Sequence, residues 1–151
     1  MRVAVGSDHR GFETKEKLLV HLRGLGYDCV DCGCHSKDAV DYPDVAQLVG
    51  AAVVRGECER GLLICGTGIG MSIAANKVAG IRAALCHNLL TAQRARQHND
   101  ANVICMGSDI VSVELGRNMM DVFLATAFEG GRHACRIDKV KALEMHGQLD
   151  T

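Results

Sequence analysis

Apolar runs and helical patterns alternate along the whole chain. Five short runs rich in β-branched and other apolar residues are typical of buried strands, and they cover residues 2–6, 27–33, 61–65, 81–86 and 102–107. Segments with apolar residues at helical spacing follow them, at residues 12–26, from Pro43 onward, and at 67–77, 89–98, 112–128 and 129–147. Strands that alternate with helices in this way predict an α/β fold, a three-layer αβα sandwich around a five-stranded parallel sheet.

Local signals mark where some of these helices begin and end. Gly26 is predicted to stop the first helix, and Pro43 suits the first turn of the second. In a doubly wound sheet, ligands bind beyond the carboxyl ends of the strands, where the strand order reverses. The residues at the strand exits are therefore the place to look for chemistry.

Length and charge narrow the class of protein. With 151 residues the chain is predicted to form a single domain, residues 1–151. The 17 basic residues are balanced by 18 acidic ones and are scattered, which argues against a nucleic-acid partner. The first apolar run is too short for a signal peptide, and no segment approaches a membrane span, so we expect no membrane partner and a cytoplasmic location.

The eight cysteines are predicted to be reduced thiols. They make up about 5% of the chain, below the ~8–10% that marks a disulfide scaffold. The stretch CVDCGCH could supply four metal ligands, Cys29, Cys32, Cys34 and His35. A second ligand pair at zinc-finger spacing is missing, and ligands so close together would be strained around one ion. Small apolar roles in and after a strand are therefore favoured, and no metal is expected.

Two phosphate-binding motifs are incomplete in this chain. Met71 stands where the loop after Cys65 would need the third glycine of a dinucleotide fingerprint. After the first strand, Gly6 and Gly11 have the interval of a P-loop, but Phe12 replaces its lysine. A dinucleotide or nucleoside triphosphate site is thus disfavoured.

The loop after the third strand still has the features of an anion site. Gly66, Gly68 and Gly70 are predicted to leave backbone N–H groups bare at a helix start, and Thr67 adds a hydroxyl donor. Beside such a loop, Cys65 would form a thiolate more readily than an isolated cysteine. The alternative is a buried cysteine that ends a core strand before a turn requiring glycine.

Five longer stretches resemble one family. GSDHRGFETK, DYPD, LLICGTGIGMSIAANKVAGIRAALC, RQHNDANV and FEGGRHACRIDKV occur in the order found in the ribose-5-phosphate isomerase B family, which includes galactose-6-phosphate isomerase subunits. The resemblance covers residues from Val5 to about Val140. It implies a Rossmann-like sandwich, a homodimer or dimer of dimers with sites at the subunit boundary, and a helix from about residue 136 that packs on the partner. It further implies no metal or other cofactor, and reversible conversion of ribose 5-phosphate to ribulose 5-phosphate.

The resemblance also implies catalytic roles. Cys65 corresponds to the base that moves a proton between C2 and C1 through an enediolate, and Thr67 and the glycine loop would hold the oxyanion. Another branch of the family uses a glutamate further along the loop, but GMSIA has no acid there, so this chain fits the thiolate branch. His98 is similar to the residue that opens the furanose ring. Taken alone, His98 would be better explained as a histidine at a helix end, where a cation is favoured.

Substrate contacts follow by the same resemblance, and they are Asp8, His9, Tyr42, Gly66, Gly68, Ile69, Gly70, Asn99, Arg132 and Arg136. Asp8 could instead cap a helix. Arg132 and Arg136 are four residues apart, so their guanidinium groups can bind one phosphate together with His9; without the resemblance they would read as a solvated pair. His133, between them, has no assigned role.

One position departs from the family. Many relatives have arginine after GS at the fifth strand exit, where this chain has Asp109. A carboxylate near the phosphate would repel it, so Asp109 is predicted to face away or to pair with a cation. The nearest alternative functions are isomerisation of a six-carbon aldose phosphate, allose or galactose 6-phosphate. Other classes are a non-catalytic nucleotide-binding or signalling module and a zinc-holding structural protein.

Overall fold

Strands and helices alternate through the chain as the pattern predicts. The computed structural model describes residues 1–146. Residues 147–151, which include the last residue of the helix predicted over 129–147, lie outside the described part. The strands are β1 Arg2–Ser7, β2 Asp28–Asp31, β3 Arg60–Cys65, β4 Ala83–Leu85 and β5 Val103–Gly107. The helices are α1 Phe12–Gly24, α2 Tyr42–Val54, α3 Ile69–Ala75, α4 Leu89–Asn99, α5 Val113–Ala125 and α6 Arg132–His146.

All five strands are parallel and lie in the order β2-β1-β3-β5-β4. The chain leaves β1 toward β2 on one side and returns to β3 on the other, so the strand order reverses between β1 and β3. A crevice opens at such a reversal, outside the carboxyl ends of the strands. The exits of β1 and β3 therefore lie side by side at the expected place for a ligand.

Each face of the sheet carries its own apolar core, which confirms the three-layer prediction. One core joins Val5 of β1 and Ile64 of β3 to α1, α4 and α5. The other joins Leu63 and Cys65 of β3 to α2 and α3. Because alternate residues of a strand point to opposite faces, the side chain of Cys65 is committed to the side covered by α2 and α3.

The predicted helix boundaries at two positions are confirmed. Leu25 caps α1, and Gly26 follows with φ +88°, a left-handed conformation that glycine adopts without strain. Pro43 lies in the first turn of α2. Within residues 1–146, the helices all lack the length and apolar character required to cross a bilayer.

Candidate active site

Cys65 ends β3 beneath a turn that folds back over its sulfur. The side chain is buried, and Sγ accepts a hydrogen bond from the Gly68 N–H at 3.1 Å. Gly68 has φ +79°, and a Cβ there would lie 2.6 Å from the Leu85 side chain and 2.8 Å from the Met106 backbone. Only glycine permits this close approach. The turn therefore holds one backbone N–H donor against the Cys65 sulfur.

The prediction that all three loop glycines present free N–H groups is wrong at Gly68, because the loop closes on its own cysteine. Gly70 lies in α3, and a Cβ there would meet the Tyr42 ring at 2.8 Å, so this glycine makes room for Tyr42. The exposed Thr67 accepts a hydrogen bond from the Ile69 N–H at 3.3 Å through Oγ1. Its own hydroxyl hydrogen can therefore be donated to a ligand oxygen.

Three other cysteines, the half-buried Cys32 and the buried Cys86 and Cys105, have surroundings that oppose ionisation. Burial raises the pKa of Cys32 and of Cys86 to about 11, and it raises the pKa of Cys105 well above its ordinary value. All eight cysteines are free thiols in the structure. Cys29 packs against one core and Cys32 against the other, so these two cannot converge on one ion.

Asp8 and His9 leave β1 next to the Cys65 loop. The Asp8 N–H donates to the Ile64 carbonyl at 3.1 Å, which joins the two strand exits. The buried Asp8 carboxylate accepts from the backbone N–H groups of Arg10 and Gly11 through Oδ1, both at 3.0 Å. Asp8 therefore stabilises the turn that leads into α1, but it is not the helix cap considered as the alternative, because Gly11 is the N-cap residue and α1 has no side-chain cap. His9 Nδ1 accepts from the Val40 N–H, which places the proton on Nε2.

Asp109 pairs with a cation, as predicted, and the cation is Arg10. The guanidinium lies against the Cys65 loop: a Cβ on Gly66 would be 2.8 Å from Arg10 Nε and 3.1 Å from Asp109 Oδ2. Sequence reasoning did not single out Arg10. Its one local signal was its place immediately after His9 at a strand exit.

His98 belongs to a second group of side chains. Its ring stacks on that of His133, with centroids 4.2 Å apart and planes at 9°. The Nε2 atoms of His98 and His133 lie 3.8 and 3.6 Å from Glu129 Oε2, and Arg94 Nη1 is 3.3 Å from His98 Nε2. Burial lowers the pKa of His133, and the neighbouring charges of His98 and Arg132 lower it further. His133 and Glu129 were missed, although their four-residue spacing across a helix start was a signal.

The same group is the one cluster of metal-ligand side chains that the structure brings together within the described chain. The ligand atoms of His98, Glu129 and His133 lie within 4.8 Å of one another. Imidazole nitrogens bind a metal along the plane of the ring. Two nearly parallel, stacked rings direct those lone pairs along parallel planes, so they do not meet at one ion. The arrangement suits an ion pair with Glu129 better than a metal.

Two of the three predicted phosphate ligands, Arg132 and Arg136, lie in the same region as His98, whereas His9 lies at the exit of β1. α6 begins at Arg132, and Arg136 follows one turn later; both side chains are exposed. Neither forms an ion pair with another residue between 1 and 146. Asn99 ends α4, where its carbonyl accepts from Arg82 Nε at 3.2 Å. The structure thus brings His98, Asn99 and the two arginines to one region.

That region is at the opposite edge of the sheet from Cys65. α4 starts after the carboxyl end of β4 and runs back for 11 residues, about 16 Å. Asn102, just beyond α4, accepts from the N–H of Gly61 near the start of β3. The Glu129 N–H before α6 donates to the Gln97 carbonyl, so α6 begins at the same edge. The five residue steps along β3 separate this edge from Cys65 by roughly 17 Å.

The sequence and the fold match known proteins over nearly their whole length. Residues 3–140 match the family model described as Ribose/Galactose Isomerase. The chain is 46% identical over 143 residues to ribose-5-phosphate isomerase B of Escherichia coli strain K12, covering 95% of this chain and 96% of that protein. It is 38% identical over 144 residues to ribose-5-P isomerase B of Listeria innocua, covering 95% and 97%.

Solved structures of similar proteins have the same fold as this chain. The ribose-5-phosphate isomerase B of Clostridium thermocellum superposes with a TM-score of 0.97 at 45% identity, covering 98% of this chain and 100% of that one. The type B ribose 5-phosphate isomerase of Trypanosoma brucei superposes with a TM-score of 0.91 at 49% identity, covering 94% and 97%. The resemblance read from the five sequence stretches is confirmed. The chain belongs to the Ribose/Galactose Isomerase family.

Proposed function

We propose that the protein interconverts ribose 5-phosphate and ribulose 5-phosphate, with the Cys65 thiolate as the base. The observation that carries this proposal is the hydrogen bond from the Gly68 N–H to Cys65 Sγ, at the strand exit where the sheet order reverses. The names of the relatives in Escherichia coli and Trypanosoma brucei support the substrate. Gly66 and Gly68 allow the loop to pack closely around the sulfur, with Arg10 against Gly66 and Leu85 against Gly68.

The chemistry needs one mobile proton and one stabilised oxygen. The thiolate removes the proton on C2 of the open-chain aldose, and the electron pair forms the C1–C2 double bond as the C1 carbonyl oxygen becomes an oxyanion. Donation from the Thr67 hydroxyl stabilises that oxyanion in the cis-enediolate. The thiol then returns its proton to C1, while the C2 hydroxyl proton passes to O1 and C2 becomes the ketone.

The remaining groups come from a second copy of the chain. Cys65 and His98 lie at opposite edges of one sheet, so a single chain does not supply both to one substrate. In a homodimer, or a dimer of dimers, the edge of one subunit that carries His98, Asn99, Arg132 and Arg136 would face the Cys65 edge of the other. His98 would open the furanose ring, and the arginines with His9 would bind the phosphate.

Exposed apolar surface supports such a dimer. Ile69 and Ile73 of α3, and Leu89 and Leu90 of α4, are exposed by 42–60% in the single chain. A groove of about 850 Å³ lies against α6. Its apolar lining includes Ile137, Val140 and Leu143 of α6, together with Ile81 and Ala84. Clustered apolar side chains of this kind are the usual mark of an interface. Burial of this surface by the partner would hold the two edges together.

Turnover of a panel of aldose phosphates tests the function. Ribose 5-phosphate should be isomerised faster than allose 6-phosphate or galactose 6-phosphate. Cys65→Ala should abolish turnover while ribose 5-phosphate binding stays within about tenfold, ~1.4 kcal/mol. Cys135→Ser, which removes an exposed thiol on α6, serves as the control and should keep full activity. Normal turnover by Cys65→Ala would exclude the thiolate base, and faster turnover of a six-carbon sugar would replace the proposed substrate.

A further inference from the structure

The ion pair between Arg10 and Asp109 lies directly on the loop that carries Cys65. A Cβ placed on Gly66 would be 2.8 Å from Arg10 Nε, 3.0 Å from Arg10 Cζ and 3.1 Å from Asp109 Oδ2. The guanidinium therefore covers the backbone of the residue next to the thiol. Side chains 99 positions apart in sequence meet there.

The backbone on both sides of the pair is held by hydrogen bonds among three strand exits. Asp8 Oδ1 accepts from the Arg10 N–H, and Ser108 Oγ donates to the Arg10 carbonyl at 3.2 Å. The Asp109 N–H donates to the Gly66 carbonyl at 3.0 Å. The base of each side chain is thus fixed relative to the Cys65 loop.

The guanidinium keeps most of its hydrogen-bonding capacity. The contact with Asp109 uses one nitrogen, Nη2, and one oxygen, Oδ2. Arginine offers five N–H donors in a planar fork that matches phosphate oxygens. The Arg10 side chain is 59% exposed and the Asp109 side chain 48%, so an incoming anion can reach the fork. An ion pair this exposed adds little to stability by itself.

We propose that Arg10 is a further phosphate-binding residue, and that the Asp109 carboxylate is the partner that an incoming phosphate displaces from its guanidinium. The inference rests on the proposed function, because the anion is the phosphate monoester of the sugar substrate. The phosphate is assigned rather than the enediolate because the pair lies at the solvent-exposed rim, whereas the thiol is buried below it. Asp109 competes with the phosphate for Arg10, so the ion pair lowers the affinity of the protein for phosphate.

A purely structural role makes a different prediction. If the pair only braced the loops, removing either partner would break the same brace, and the two substitutions would act in the same direction. If Arg10 binds phosphate and Asp109 competes for it, the two substitutions act in opposite directions. The sign of the second effect therefore separates the two roles.

Calorimetric titration with inorganic phosphate provides the test. Arg10→Ala should weaken phosphate binding about tenfold, Arg10→Lys should weaken it less, and Asp109→Asn should tighten it about threefold. Arg55→Ala, which removes an exposed arginine after α2, is the matched control and should stay within about twofold of the parent protein. With ribose 5-phosphate as substrate, the loss in Arg10→Ala should appear in KM rather than in kcat.

Two results would overturn the inference: unchanged phosphate binding in Arg10→Ala, or weaker binding in both Arg10→Ala and Asp109→Asn. Thermal midpoints of all variants show whether each remains folded. Because phosphate binding is measured without turnover, a protein that shows the predicted binding pattern but isomerises no aldose phosphate would refute the proposed function alone. A protein that turns over ribose 5-phosphate with no effect of Arg10 would refute this inference alone.

Discussion

At the scale of single residues, the surroundings of the cysteines divide them into two kinds. Burial raises the pKa of the half-buried Cys32 and of the buried Cys86 and Cys105, which opposes their charged form. At the buried Cys65, a backbone N–H of the following turn donates to the sulfur. The position of Cys65 before this turn, and not its residue type, distinguishes it from the other three.

Gly68 tests this reading of the turn. Gly68→Ala would place a Cβ 2.6 Å from the Leu85 side chain and force a left-handed alanine, so the turn must open and the N–H must leave the sulfur. We expect kcat to fall at least about tenfold, a loss of ~1.4 kcal/mol in transition-state stabilisation.

Gly56 is the matched control for that substitution. It has φ +72° and nothing within 4 Å of an added Cβ, so Gly56→Ala imposes the left-handed strain without a clash. Gly56→Ala should lower the free energy of unfolding by about 1–2 kcal/mol and leave kcat unchanged. Equal activity of the two variants, measured by steady-state kinetics, would mean that the turn does not control Cys65.

At the scale of elements, a buried lysine joins α1 to β2. Lys15 is fully buried, and its Nζ contacts both carboxylate oxygens of Asp31 at 2.7 Å. Asp31→Ala would leave the buried ammonium with the half-exposed Glu16, at 3.0 Å, as its remaining carboxylate, so we expect a loss of about 3 kcal/mol in the free energy of unfolding, the lower end of the cost of breaking a buried pair. Asp28→Ala, on the same strand but in an exposed pair with Arg2, should cost less than ~1 kcal/mol. Similar urea midpoints for both variants would contradict this account.

The stacked histidines that join α4 to α6 predict a pH dependence. The pKa of His133 is lowered in the fold, mainly by burial, so the unfolded chain binds a proton more readily. The contribution of His133 to the free energy of unfolding is therefore fully present above the ordinary histidine pKa of about 6.5. It is lost as the pH falls toward the lower pKa that His133 has in the folded protein. Thermal midpoints measured from pH 7.5 to 5.5 should fall less in His133→Phe than in the parent protein. His87→Asn, at an exposed histidine, should show the parent slope, and an unchanged slope in His133→Phe would refute the assignment.

At the scale of the whole molecule, the fold separates Cys65 from His98, the two groups that the proposed reaction needs. The Cys65 edge and the His98 edge lie roughly 17 Å apart across one sheet. Two inactive variants, Cys65→Ala and His98→Asn, should therefore regain activity when mixed. Random exchange makes half of the dimers hybrid, each with one intact site, so about a quarter of the parent activity should return.

Thr67→Val provides the control for that mixing experiment. Thr67 lies on the same loop as Cys65, so a hybrid of Cys65→Ala with Thr67→Val contains no intact site and should not recover. Native mass spectrometry verifies that the subunits exchange. Absence of recovery in the Cys65 and His98 mixture after verified exchange would mean that each site is built within one chain.

The sequence by itself determined the secondary-structure elements, and it singled out candidate residues at the strand exits. Apolar periodicity and glycine or proline signals act over a few residues, so the five strands, the stop at Gly26 and the start near Pro43 could be predicted locally. Cys65 could be singled out because it lies at a strand exit before a glycine-rich loop. Local patterns decide these features, because each of them depends on residues that are only a few positions apart in the sequence.

Only the tertiary structure decided which distant groups meet. The pairing of Arg10 with Asp109 depends on the strand order, which places the exits of β1, β3 and β5 together. The stacking of His98 on His133 depends on how α6 returns to the end of α4. The separation of His98 from Cys65 follows from the direction in which α4 crosses the sheet. Periodicity carries no information on these contacts, because the order of strands and the path of each crossover are settled by packing across the whole chain.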